Sequence, residues 1–224
     1  MRTLADLASH LNFAGRRQGR RQAGKPEAAL PPIILVTDQD RLPDPLPVAA
    51  QLPVGSLVIF RHYDDADRYR LAARLARLCR ARRLHFLIAG DLDMAVSLGS
   101  GLHLPEGLVK QASARIRLWH RHRRHLLTAA AHGRSAVVSA GRLGADATLL
   151  SPVFPTASHP GKPGLGLLAF RRLARLADLA VFALGGVSST TVRGLAGSGA
   201  AGVAAIGGLA RRDPAGVVLQ GFRK

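Results

Sequence analysis

From Pro31 onward the chain alternates short apolar runs with stretches in which apolar residues recur every three or four positions. The runs Ile33 to Thr37, Ser56 to Arg61, His85 to Ala89, Gly101 to Leu104, Leu126 to Ala131, Ala147 to Leu150, Val181 to Leu184 and Gly202 to Ile206 predict eight strands. Helical spacing falls between them, over Asp67 to Arg83, Leu108 to Arg123, Ser135 to Leu143, Leu167 to Ala177 and Ser188 to Gly197, with a short Pro-bounded turn near Pro47 to Leu52. In the clearest helix Leu71, Leu75 and Leu78 share one face, and Arg70, Arg74, Arg77 and Arg80 the other. Eight strand-and-helix repeats predict an α/β chain folded as one (βα)8 TIM barrel.

Residues 1–30 begin with a short amphipathic turn at Leu4, Leu7, Ala8 and Leu11, then pass into an Arg, Gln and Gly stretch. They are expected to form a flexible basic extension, with residues 31–224 as the barrel domain. The chain of 224 residues is 47% apolar but only 4% aromatic, the Leu, Ala and Val bias of a helix-covered parallel sheet. Cys79 is the sole cysteine, which excludes an intramolecular disulfide and a cysteine-based metal cluster. No apolar stretch approaches the roughly 20 residues of a membrane span. A cytoplasmic protein without a membrane partner is expected, and a homo-oligomer is left open.

The formal charge is +18, and only Lys25, Lys110, Lys162 and Lys224 among the basic residues are lysines. Arginines are spread over many helices rather than gathered, so a nucleic-acid partner is not expected. The one local exception is "ARIRLWHRHRRH", where Trp119 among arginines suits base stacking or packing on a neighbour. His120, His122 and His125 are read as solvated members of that run.

Barrels of this kind present chemistry at the C-terminal ends of their strands. There the chain places Arg61, His132, the loop "SPVFPTASHPGKPGLG" and two glycine pairs, Gly185 with Gly186 and Gly207 with Gly208. Glycine pairs after the last two strands let backbone N–H groups approach a phosphate, or simply make tight turns. Ser188 reads as a helix cap. His132 suits general acid-base work because its ordinary pKa lies near neutrality, and it also suits a plain backbone cap.

The segments "IILVTD", "GLHL", "GADATLLSPVFPTASHPGKPGLG" and "ALGGVSSTTVRGLAGSGAAGVAAIGGL", in this order over Pro31 to Arg211, resemble the thiamine phosphate synthase and thiazole tautomerase superfamily. The resemblance implies a barrel that binds a small thiazole phosphate, with Gly185, Gly186, Gly207 and Gly208 around the phosphate. It implies Arg61, Thr156, Ser158 and His159 as substrate-binding positions. In the synthases a pyrimidine diphosphate and Mg2+ bind as well.

Several positions depart from the synthase pattern. Ile59 stands for its Gln, His62 and Tyr63 for its Glu and Lys, Ala89 and Gly90 for its Asn and Asp, and His159 for a Lys. Glu106 is the only carboxylate near the second Mg2+ position. No metal site and no cofactor are therefore expected, Mg2+ entering only with retained synthase activity. The resemblance implies His132 as the acid-base residue of a tautomerase-like isomerase. A synthase joining hydroxymethylpyrimidine diphosphate to thiazole phosphate is the alternative, and a non-catalytic phosphate-ligand binding protein the other.

Overall fold

The computed structural model describes residues 4, 5, 8, 30–112, 114–122, 125–156, 161 and 163–210. Eight strands, β1 (Ile33–Val36), β2 (Leu57–Phe60), β3 (His85–Ala89), β4 (Gly101–Leu104), β5 (Leu127–Ala131), β6 (Ala147–Leu150), β7 (Ala180–Ala183) and β8 (Gly202–Ala205), close into one barrel in sequence order. Every neighbouring pair is parallel, and β8 closes on β1 with Ile34 opposite Ala204. All C-terminal strand ends therefore meet at one rim.

Each strand is buried on both faces, which is why it reads as a continuous apolar run. Alternate residues split into two cores. Ile34, Val36, Leu57, Ile59, Leu87, Ala89, Leu149 and Phe182 fill the barrel interior. Their neighbours Leu35, Val58, Phe60, Ile88, Leu102, Leu127 and Val203 face the helices. Two polar residues interrupt the interior at β4 and β5, where His103 and Thr128 lie opposite each other and share a hydrogen bond of 2.8 Å.

The helices are α1 (Leu46–Ala49), α2 (Arg68–Ala81), α3 (Leu92–Leu98), α4 (Glu106–Val109), α5 (Ala114–His122), α6 (Arg134–Leu143), α7 (Gly166–Leu176) and α8 (Gly207–Ala210). On α2 the expected faces hold: Leu75 is sealed, Leu71 and Leu78 pack on the core, and Arg70, Arg74, Arg77 and Arg80 are exposed. Cys79 is buried in the same seam, which pushes its thiol pKa up to about 12. It is an inert packing residue.

Four expectations change. The helix predicted over Leu108 to Arg123 is two, α4 and α5. Helix α3 stands where none was expected, capped by the Asp91 carboxylate accepting from the Met94 amide and ended by left-handed Gly99. The helix predicted over Ser188 to Gly197 is only a 3-10 turn, Val192–Leu195. Ser188 accordingly caps a tight turn, its amide donating to Thr191 Oγ1 at 2.9 Å.

His120 is the fourth. It is buried rather than solvated, with Nδ1 near the His125 carbonyl and Nε2 3.7 Å from Asp146. Trp119 is also buried, stacked on the His125 ring at 5.7 Å. The basic stretch thus spends its aromatic group on packing. Of the expected extension, Leu4 and Ala8 are buried against the barrel, Leu4 lying beside Gly208; the rest of residues 1–29 lies outside the described residues, apart from Ala5. No helix among the described residues is long and apolar enough to cross a membrane.

Candidate active site

Strand parity decides which residues reach the mouth. Continuing the inward positions past the strand ends puts Arg61 above Ile59, His132 above Thr128, and Gly186 above Phe182 on the interior side. His62 has the opposite parity and turns out into the helix layer. There it stacks on Phe60 at 4.9 Å and shares a 3.0 Å hydrogen bond with Thr37. Its burial lowers its pKa. Thr37 Oγ1 also accepts from the Arg61 amide at 2.9 Å, so the pair ties the ends of β1 and β2 together.

Arg61 donates to Asp38 at 2.6 Å. Burial pushes the Asp38 carboxyl up, but hydrogen bonds from the Arg41 amide and the Arg61 guanidinium, with the charges of both arginines, leave its pKa below the usual value. The Arg61 charge is also felt inside the barrel. Complete burial drives the pKa of His103 down to about 3, and Arg61 adds to that push. His103 is therefore a neutral core histidine, and Arg61 is the cation overhead.

Beside them Arg68 is fully engaged, donating to the His62 carbonyl at 2.6 Å, Asp91 at 3.0 Å and the Ala89 carbonyl at 2.9 Å. Its guanidinium also lies 5.8 Å from the Tyr63 ring centroid. Ile59, where the resemblance leads us to expect a synthase Gln, is wholly buried in the apolar interior with Ala89, and neither side chain carries a hydrogen-bonding group.

Across the rim, Glu106 starts α4 after β4, and His132 follows β5. One carboxylate oxygen, Glu106 Oε2, accepts from both the His132 amide at 2.8 Å and the His132 ring nitrogen Nδ1 at 2.6 Å. The side chains stay about half exposed, 55% for His132 and 39% for Glu106. Sequence reasoning named each residue but missed the pair. The available signal was that β4 and β5 are consecutive barrel strands, so residues just past their ends are neighbours.

The loop after β6 is anchored, not slack. The Ser151–Pro152 bond is cis, the Val153 amide donates to the Leu184 carbonyl at 2.9 Å, and the Phe154 amide donates to that of Gly185 at 3.1 Å. Gly185 and Gly186 form the seat. Both have positive φ, and a Cβ would lie 2.7 Å from Pro152 Cα at Gly185 and 2.5 Å from the Pro155 carbonyl oxygen at Gly186. Close packing therefore requires both glycines whether or not a ligand binds. Their amides donate to no acceptor among the described residues. Thr156 is described, while Ser158 and His159 lie outside the described residues. Gly207 and Gly208 open α8 on the neighbouring strand β8.

A Mg2+ ion requires near-octahedral oxygen ligation, usually with one or two carboxylates. Asp91 divides its oxygens between the Met94 amide and Arg68, and Glu106 is engaged with His132. Among the described residues no group of three His, Cys, Asp or Glu side chains is placed to hold a metal. The donor set does not fit the ion.

A sequence profile described as thiamine monophosphate synthase matches residues 33–209, from the first strand through the last helix. The chain belongs to that family. Among curated relatives, it is 28% identical over 180 residues to a thiamine-phosphate synthase of Anoxybacillus flavithermus, covering 76% of this chain and 81% of that one. It is 29% identical over 140 residues to a putative thiamine-phosphate synthase 2 of Aquifex aeolicus, covering 59% and 70%. Among solved structures, a thiamine phosphate pyrophosphorylase from Pyrococcus furiosus superposes with a TM-score of 0.64 at 22% identity, over 78% of this chain and 85% of that one. That likeness concerns the fold. The match spans all eight strands of the barrel.

Proposed function

We propose that this family member is an enzyme of thiamine biosynthesis that binds a thiazole phosphate at the barrel mouth and joins it to hydroxymethylpyrimidine diphosphate. The family match across all eight strands carries this reading, and curated relatives named for that transfer support it. In the reaction the thiazole nitrogen forms a bond to the pyrimidine methylene as its bond to the diphosphate oxygen breaks, the diphosphate leaving with the electron pair. The residues we assign are Gly185, Gly186, Gly207 and Gly208 to the thiazole phosphate, Thr156, Ser158 and His159 to the ring side, and Arg61 to the departing anion. Guanidinium groups suit that last task because they stay charged and bind phosphate in bidentate fashion.

The Glu106–His132 pair favours a second reading, a tautomerase-like isomerase. Moving the exocyclic double bond of a carboxylated thiazole phosphate into the ring removes one ring proton and returns one to the exocyclic carbon. A single imidazole performs both transfers, and no net charge or electron is gained. The purified chain, given both pairs of reactants in parallel, separates the two. Thiamine phosphate formation supports the transferase; isomerisation without it supports the second reading. If thiazole phosphate neither binds nor turns over, both fall.

A further inference from the structure

We propose that Glu106 is a positioning residue that locks His132 in the Nδ1–H tautomer and leaves Nε2 as the only ring nitrogen open to a ligand. A neutral imidazole carries its proton on one nitrogen or the other, and its hydrogen-bond partner decides which. Here Glu106 Oε2 accepts a hydrogen bond from the His132 amide and stands 2.6 Å from Nδ1. An ionised carboxylate is acceptor-only, so Nδ1 must be the donor.

The two bonds fix the ring as well as its proton. Because one oxygen holds both the backbone and the ring of the same residue, rotation about the side-chain bonds would break the shorter contact. Each residue comes from the end of a different barrel strand, so the pair also rests on rigid elements. The ring nevertheless remains half exposed at the mouth. Nε2 is thus presented as an acceptor first and, after taking a proton, as a donor. That order suits a ligand with an acidic C–H bond that must give up a proton before receiving one elsewhere. The link to turnover rests on the isomerase reading, whereas the tautomer does not.

The test is nitrogen NMR of 15N-histidine-labelled full-length protein without ligand, at a pH where the His132 ring is neutral. Wild type should show Nδ1 protonated and Nε2 bare. Glu106→Ala should revert to the Nε2–H form that unconstrained imidazoles prefer, and Glu106→Gln, whose amide oxygen still accepts, should keep the Nδ1–H form. Wild type in the Nε2–H form, or a Glu106→Ala spectrum unchanged in tautomer, overturns the proposal. In the isomerisation assay Glu106→Ala should lose on the order of 10²-fold or more, as when a carboxylate that sets a catalytic histidine's tautomer is removed. Absence of isomerisation in wild type with the predicted spectra would reject the isomerase reading alone.

Discussion

Two arcs of the barrel rim carry charge in opposite ways. Over β1 to β3, Arg61 and Arg68 meet Asp38 and Asp91 inside partly buried networks, and Arg68 spends its donors on protein atoms. Over β4 and β5, Glu106 and His132 meet in the open. Low local dielectric makes the first arc chiefly a clamp on the fold, since stranding one buried partner is costly, and only the part-exposed Arg61 guanidinium is left to reach a ligand. Solvent screening makes the second arc nearly irrelevant to stability and available for chemistry.

At neutral pH the largest loss from a single substitution should come from the rim's steric seat on the far side. Gly186→Val puts a branched side chain at positive φ against the Pro155 carbonyl. A loss of about 3 kcal/mol or more in denaturant unfolding is expected. Arg68→Ala should cost about 2 kcal/mol by the same measurement, because it leaves two carbonyls and Asp91 without their donor.

Acid should act next, through His103. Its folded pKa of about 3 lies below the ordinary 6.5, so the folded chain refuses a proton that the unfolded chain accepts. The contribution is fully present above pH 6.5 and is lost as pH falls toward 3, at up to about 1.4 kcal/mol per pH unit. His103→Gln should flatten that part of the pH–stability curve. Smallest of all, Glu106→Ala should change stability by less than about 1 kcal/mol. If it destabilises as much as Arg68→Ala, the contrast between the arcs is wrong.

Much of this architecture was legible in the sequence. Strands buried on both faces announce themselves as apolar runs, and α2 shows its two faces without ambiguity. Helix α3 was readable from its caps, Asp91 and Gly99, but its seven residues make too short a period to stand out. The stretch Ser188 to Gly197 looked helical by spacing, yet only one 3-10 turn, Val192–Leu195, forms and left-handed Gly197 follows it. His120 was hidden by its company: a histidine among arginines reads as solvated, while its position beside Trp119 turns it inward.

At the site, individual residues were legible and their pairing was not. Nothing local to "GLHLPEGLVK" or "AAAHGRSAVV" connects Glu106 to His132. The contact exists because consecutive barrel strands lie side by side. Similarly, the glycine pair after β7 reads as a phosphate cradle, and the structure adds a second constraint on the same atoms, the seat for Pro152 to Pro155.

Because packing alone would demand those glycines, ligand binding must be observed at their amides. The most direct measurement is an amide NMR titration of the 15N-labelled chain with thiazole phosphate, with the unphosphorylated thiazole alcohol as control. The account predicts saturable shifts at Gly185, Gly186, Gly207 and Gly208 with the phosphate, and none of that size with the alcohol. Unmoved glycine amides, or shifts confined to the opposite end of the barrel, would contradict it.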